Sequence, residues 1–250
     1  MQTKFYVVGI GPGAPELMTP QAHAALQEAE VIAGYGTYLK LIKPLFPDKE
    51  YLQTGMTGEV KRCQLALEQA QAGKIVAMVS SGDAGIYGMA GLVLQLAEGL
   101  PVEVEPVPGI TAASSGAALL GAPLMHDFAV ISLSDRLTPW DKIEKRLLAA
   151  AEADFCVVLY NPRSHGRPDL LNRACQLLGR HKGPETPVGI VKNIGREGEQ
   201  AIVTTLAELD ENLVDMFSTV FIGNSQTYIQ QTVAGPKIVT PRGYLEEAAQ

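Results

Sequence analysis

Three short stretches of the chain join glycines to a polar group at the end of an apolar run. They are Gly9-Ile10-Gly11-Pro12-Gly13 after Tyr6-Val7-Val8, Ser81-Gly82-Asp83 after Ile75 to Val79, and Pro108-Gly109-Ile110-Thr111 after Val102 to Val107. Glycines at such ends let a ligand approach the backbone, because no Cβ stands in the way. In an open α/β sheet, ligands sit outside the carboxyl ends of the strands. A single carboxylate, Asp83, among backbone amides suits a ligand with hydroxyls and an amine. A triphosphate is excluded on pattern, since no Gly-Lys-Ser/Thr triplet follows any of the three. Gly9 to Ala14 formally satisfies G-x-G-x-x-A, but Pro12 removes an amide and Pro15 disfavours helix at Ala14. The helix N-terminus that would hold a pyrophosphate is therefore missing from the motif. Each stretch alone is also what a tight turn looks like, and Asp83 alone is also a plain helix cap. Their coincidence on one sheet edge is what points to a pocket.

The elements that must position these ends alternate strand and helix, which implies a parallel sheet. Thr19-Pro20 reads as N-cap and first position of a helix running to Glu30, followed by a short strand at Val31 to Ala33. A helix from Thr57 to about Gln71 has an apolar stripe at Val60, Cys63, Leu67 and Ala70. The spacing further predicts a helix over roughly Gly85 to Glu98 and another from Thr111. Gly121-Ala122-Pro123 is the candidate linker, dividing the chain into domains of residues 1–122 and 123–250. Beyond it come strands at Phe128 to Leu133, Phe155 to Tyr160 and Val188 to Val191, helices from Thr138-Pro139 and from Asp169 to Leu178, and an antiparallel strand at Ala201 to Thr205. Val220 to Ile222 and Lys237 to Val239 are the last strands. The fold class is α/β, with a mainly parallel N-terminal sheet and a mixed C-terminal one.

Composition sets the outer limits. The chain has 250 residues, 46% hydrophobic and 19% charged, which is ample for a large core. A formal net charge of −7 argues against nucleic-acid or anionic-membrane binding. The three cysteines, Cys63, Cys156 and Cys175, are scattered and read as reduced thiols in a cytoplasmic protein. No His/Cys cluster suggests a bound metal. The least charged stretch, Pro106 to Met125, is broken by glycines and prolines and is no spanning helix.

Taken together, Val7-Val8-Gly9-Ile10-Gly11-Pro12-Gly13, Ser80 to Gly88, Pro106 to Ala113, Leu159-Tyr160-Asn161-Pro162-Arg163-Ser164 and Lys192 to Glu199 closely resemble the tetrapyrrole methylases. Within them, Gly55-Met56-Thr57, His126 to Asp135 and Leu137 to Trp140 are similar to the branch that methylates precorrin-3B, or cobalt-factor III, at C(17) in cobalamin synthesis. The resemblance runs in order to about Tyr244. It implies two α/β domains with the active site in a trough between them, a homodimer, and S-adenosylmethionine as methyl donor. It assigns donor contacts to Gly11, Pro12, Ser81, Gly82, Asp83, Ile86, Thr111, Ala112, Asn161 and Ile194. It also implies a tetrapyrrole substrate rich in carboxylates, for which Arg163 and Arg167 are the first candidates, then Arg62, Arg196 and Lys192. Ring contraction needs proton transfers, for which His126 and Asp135, then Tyr160 and Glu197, are candidates.

Overall fold

The structure, a computed structural model, describes residues 3–55, 57–164, 166 and 168–244, so Met56, His165 and the candidate Arg167 lie outside the described residues. The chain divides into two compact units, Met1–Ala112 and Ala113–Gln250.

In the first unit the elements run β1 (Thr3–Gly9), α1 (Pro20–Glu28), β2 (Val31–Tyr35), α2 (Gly36–Ile42), β3 (Glu50–Thr54), α3 (Glu59–Gln71), β4 (Val76–Ser80), α4 (Ala90–Leu96) and β5 (Val102–Val107). The strands form one parallel sheet in the order β3-β2-β4-β1-β5. Strand alternation sorts the side chains to two buried faces. Phe5 and Val7 of β1, with Val76 and Met78 of β4, pack under Cys63, Ala66, Leu67 and Ala70 of α3. Tyr6, Val8, Ala77 and Val79 face the other way, toward Leu26 of α1 and Leu39 and Ile42 of α2. Helices on both faces explain why β1 and β4 are uninterrupted apolar runs.

The second unit contains α5 (Ala112–Leu120), β6 (Gly121–Ala122), β7 (Phe128–Ser132), α6 (Trp140–Glu152), β8 (Cys156–Tyr160), α7 (Leu170–Leu178), β9 (Pro187–Lys192), β10 (Gln200–Thr205), β11 (Ser218–Ile222), β12 (Tyr228–Thr232) and β13 (Gly235–Val239). Its main sheet has the order β10-β9-β11-β8-β7, antiparallel except for β8 beside β7. A smaller sheet, β12-β13-β6, pairs β13 antiparallel to β12 and parallel to β6. One face of the main sheet carries α6 and α7, with Ile143, Leu147, Leu171 and Leu178 against Val157, Leu159, Ile190 and Val220. The small-residue helix α5 belongs to this unit. A Cβ on Gly116 would lie 2.8 Å from the Phe221 ring, and one on Gly189 would lie 2.3 Å from Leu120. Those two glycines let α5 sit almost on the backbone of the sheet. By contacts the two units divide between Ala112 and Ala113, in the first turn of this helix.

The elements differ from expectation in three places, each with a local cause. Gly34 to Thr37 reads as a break after the strand at Val31 to Ala33, yet Gly36 opens α2, where a Cβ on it would lie 2.7 Å from Gln53 Nε2. The edge strand β3 is half polar and carries no strong strand signal. The helix expected from Gly85 starts only at Ala90, because the intervening loop turns back on itself: a Cβ on Gly88 would lie 2.4 Å from Ala84 O, and Tyr87 has φ 55°.

Thr19 caps α1 as its sequence promises, accepting from Ala22 N at 3.1 Å with Pro20 at the first helical position. The same hydroxyl donates to Pro108 O at 3.2 Å, tying the start of α1 to the loop after β5. Replacing Thr19 by Ala should cost about 1–2 kcal/mol of stability, and Ser should restore most of it. Urea unfolding of both variants checks this.

Candidate functional site

The three glycine stretches lie at the carboxyl ends of β4, β1 and β5, which are neighbours in the parallel sheet. They are held together by backbone. Ile10 N donates to Ser80 O at 3.0 Å, Gly11 N to Gly82 O at 3.1 Å, and Gly82 N to Gly11 O at 2.7 Å. Gly11 and Gly82 have φ of 75° and 71°, which glycine adopts freely and most residues do not. A Cβ on Gly109 would lie 2.2 Å from Gly82 O and 2.5 Å from Gly9 O, and one on Gly9 would meet Gly109 N at 2.7 Å. Backbone atoms cannot move aside as side-chain tips do, so glycine is required at both. The space that these glycines leave open is filled by one another, not by a ligand approaching from outside.

Asp83 locks the arrangement. Its Oδ1 accepts from Gly85 N (2.7 Å) and Ile86 N (3.1 Å), and its Oδ2 accepts from Gly109 N (2.9 Å). The side chain thus caps the loop that precedes α4 rather than the helix itself, and joins that loop to the end of β5. Ser80 supports it from below, its buried hydroxyl accepting from Met89 N at 3.1 Å. What the loop turns outward is Gly85, Ile86 and Tyr87, the last two 41% and 58% exposed. An exposed aliphatic and an exposed aromatic side chain beside backbone amides suit a ligand with a flat apolar part and polar substituents. Gly11, Pro12, Ser81, Gly82, Asp83, Ile86, Thr111 and Ala112 are therefore all brought to this one edge of the first unit.

In the second unit the ends of β7 and β8 are joined in a similar manner. Tyr160 accepts through its hydroxyl from Ala113 N at 2.7 Å, which pins the start of α5. Asn161 has φ 52°, a left-handed conformation that Asn tolerates better than most residues. Its Nδ2 donates to Ser132 Oγ at 2.9 Å. Ile194 is 5% exposed and packs toward Gly116. Asp135 lies in the loop after β7, at the same end as Asn161. His126 precedes β7 and so lies at the opposite end of a five-residue strand, about 13 Å of rise away. Its Nδ1 accepts from Asp127 N at 2.9 Å. Glu197 is exposed in the turn that joins β9 to β10.

The candidate cations have partners. Arg62 is 3% exposed and donates from Nε to Thr54 Oγ1 (2.7 Å) and from Nη2 to Gly55 O (3.0 Å), which fixes the end of β3. Arg163 donates from Nη1 to Glu211 O at 2.6 Å. Lys192 pairs with Asp215 at 2.6 Å. Asp215 was not singled out in the sequence, yet Phe217 N and Ser218 Oγ donate to it as well, at 2.8 and 3.1 Å. Partial burial pushes its carboxyl up, but the hydrogen bonds from Lys192, Phe217 and Ser218 outweigh that and hold it below the ordinary carboxylate range. The signal that could have found it is Asp215-Met216-Phe217-Ser218, an Asp followed three residues later by Ser at a strand start.

Residues 4–210 match the family described as Tetrapyrrole (Corrin/Porphyrin) Methylases. The chain belongs to the tetrapyrrole methylases. It is 55% identical over 240 residues to the "Probable cobalt-factor III C(17)-methyltransferase" of Salmonella typhimurium, covering 95% of this chain and 98% of that one. It is 42% identical to the "Precorrin-3B C(17)-methyltransferase" of a Sinorhizobium species, covering 98% of each. The "Cobalt-factor III methyltransferase" of Priestia megaterium is 47% identical, and this chain spans 46% of its length. Among solved structures, "Crystal structure of the methyltransferase CobJ" superposes with a TM-score of 0.89 at 37% identity, over 96% of this chain and 100% of that one. A uroporphyrin-III C-methyl transferase from Thermus thermophilus, complexed with S-adenyl homocysteine, superposes with a TM-score of 0.70 at 26% identity, over 88% of this chain and 97% of that one. As a tetrapyrrole methylase, the chain is an enzyme of methyl transfer. No helix among the described residues is long and apolar enough to cross a membrane, and no group of three or more His, Cys, Asp or Glu among them could hold a metal ion.

Two outcomes follow for this methylase. Asp83→Ala should lower stability by about 2 kcal/mol, since three amides lose a charged acceptor. Asp83→Asn should fall between, because its amide oxygen still serves Gly85 and Ile86 while its NH2 group opposes Gly109 N–H; urea unfolding separates the three proteins. The Asp215 carboxyl titrates lower folded than unfolded, so its stabilisation is complete above the unfolded value and is lost as pH falls through the folded one. Between about pH 5 and pH 3 the parent should therefore lose stability more steeply than Asp215→Asn, as read from urea midpoints across that range.

Proposed function

We propose that this methylase transfers a methyl group from S-adenosylmethionine to C(17) of precorrin-3B or of its cobalt-bearing counterpart, cobalt-factor III, with contraction of the macrocycle. The observation that carries the reading is the 55% identity to a relative so named over nearly the full length of both chains. The donor fits the chemistry of the sheet edge in the first unit. Backbone amides and hydroxyls around Gly11-Pro12, Ser81 to Asp83 and Thr111-Ala112 would take its polar groups, and Ile86 and Tyr87 its flat apolar part. When bound, S-adenosylmethionine supplies an electrophilic methyl on sulfur, which an electron-rich ring carbon attacks directly.

What the protein contributes is position. Holding donor and acceptor in line converts a two-body encounter into an effectively one-body step. A sheet edge tied by Gly9, Gly82, Gly109 and Asp83 is stiff enough for that task. Family membership supports Asn161, Ile194 and a homodimer. The proton transfers that ring contraction needs support a role for Asp135. The match of a guanidinium to a carboxylate, at sequence positions just past a strand end, supports substrate contacts of Arg163 and Arg167. His126, whose Nδ1 accepts from Asp127 N at the far end of β7, is a weaker proton-transfer candidate than Asp135.

The test is an anaerobic incubation of the purified protein with S-adenosylmethionine labelled in its methyl carbon, using precorrin-3B and cobalt-factor III in parallel. The expected product has gained one methyl group by mass, and its label resonates at C(17) by carbon NMR. Label at another ring carbon would overturn the assignment and make the protein a sister methylase of the same ring system.

A further inference from the structure

In the main sheet of the second unit, β7, β8 and β9 run in one direction, and β11 runs against them between β8 and β9. The carboxyl ends of those strands and the start of β11 therefore share an edge. Register fixes the neighbours there. Ser218, which opens β11, stands opposite Lys192. Two residues past the Val220–Leu159 pair, it also comes level with Asn161. Phe217 O accepts from Asn193 N at 3.3 Å, one residue short of Ile194. The segment before β11 thus lies beside Asn161 and Ile194, the second-unit residues of the proposed donor site.

This segment keeps two large apolar side chains in water: Met216 is 47% exposed and Phe217 44%. The chain is buried on either side of them, at Val214 in the core and at Ser218, so neither can fold inward. Asp215 fixes the bend between those anchors. Its carboxylate accepts from Phe217 N (2.8 Å) and Ser218 Oγ (3.1 Å), and Lys192 pairs with it at 2.6 Å. Farther back, Arg163 Nη1 donates to Glu211 O at 2.6 Å, tying the turn at Glu211–Leu213 to the loop after β8. Covering a methionine and a phenylalanine would recover hydrophobic stabilisation, and a backbone already fixed leaves little ordering to offset it. The cation at the rim selects what covers them. A carbonyl orients the Arg163 guanidinium without neutralising it, which suits a carboxylate. An aromatic face, a thioether and a guanidinium together fit a broad apolar ring with carboxylate arms.

We infer, resting on the function proposed above, that Met216 and Phe217 form the apolar seat of the tetrapyrrole ring, with Arg163 meeting a carboxylate arm. The experiment titrates the full chain anaerobically with cobalt-factor III and with precorrin-3B, read by the absorbance of the ring. A separate calorimetric titration uses S-adenosylhomocysteine. Phe217→Ser should weaken tetrapyrrole binding about tenfold and leave S-adenosylhomocysteine affinity within about twofold. Its melting temperature should stay near that of the parent, because the side chain is exposed. Phe217→Tyr, which keeps the aromatic face, should bind the ring as the parent does. Met216→Ser should also weaken ring binding, and it decides the matter if Phe217→Ser fails to fold. Parent-like ring affinity in both serine variants, or equal loss of both ligands, would overturn the seat. So would a drop in sedimenting mass of Phe217→Ser with ring affinity intact, which would make the segment a contact between copies of this chain. A parent that binds neither tetrapyrrole would refute the proposed function and the seat with it. Methyl transfer to a carbon other than C(17), with the Phe217 effect present, would refute that function alone.

Discussion

The first unit depends on one contact: three strand ends meeting backbone to backbone at Gly9, Gly82 and Gly109. No side chain larger than hydrogen fits at Gly9 or Gly109, and the bridge between Gly11 and Gly82 needs left-handed backbone on both sides. Asp83 then converts proximity into a fixed geometry by taking amides from two of the loops. The parallel sheet beneath delivers these ends side by side, because β4, β1 and β5 are adjacent and point the same way. The donor contacts proposed in the first unit are built on this edge, so its rigidity has a cause in close backbone packing rather than in the ligand.

Much of this was legible in advance, for reasons that can be named. β1 and β4 are uninterrupted apolar runs because both their faces are covered, and continuous runs are the signature of such strands. Thr19-Pro20 announced a helix because capping chemistry is local. The role of the glycines was legible only in part. Their number at strand ends pointed to close approach, but a sequence does not say what approaches. Here it is other backbone, and the outward surface falls to Gly85, Ile86 and Tyr87. The helix expected from Gly85 failed for the same reason: Asp83, a carboxylate that satisfies loop amides across the turn, outcompetes the local periodicity that follows it.

The second unit was harder to read because its determinants are non-local. Helix α5 has almost no polar pattern, and its place depends on Gly116, which faces the Phe221 ring, and on Gly189 of β9, which faces Leu120 of the helix, two glycines far apart in sequence. The short strand β6 is specified by Lys237 to Val239 alongside it, with Lys237 Nζ reaching back to Leu119 O at 2.8 Å. Likewise the family resemblance assigns Asn161 as a ligand contact, while its left-handed backbone and its bond to Ser132 already account for an Asn at that position. A residue can satisfy both demands, and its backbone conformation supplies the structural one.

The candidate cations of this chain of net charge −7 differ in how much of their charge is already matched within the protein. Lys192 is matched by the Asp215 carboxylate at 2.6 Å, so its charge is largely cancelled where it stands. Arg62 and Arg163 are different, since their partners are a hydroxyl and carbonyls, which orient a guanidinium without neutralising it. Neither makes an ion pair among the described residues. An arginine fixed by neutral acceptors is pre-organised and keeps its full charge, whereas a lysine already paired to a carboxylate must give up one anion to bind another. For a carboxylate-rich tetrapyrrole, that asymmetry favours the arginines over Lys192, and Arg163 over the 3% exposed Arg62 on grounds of access.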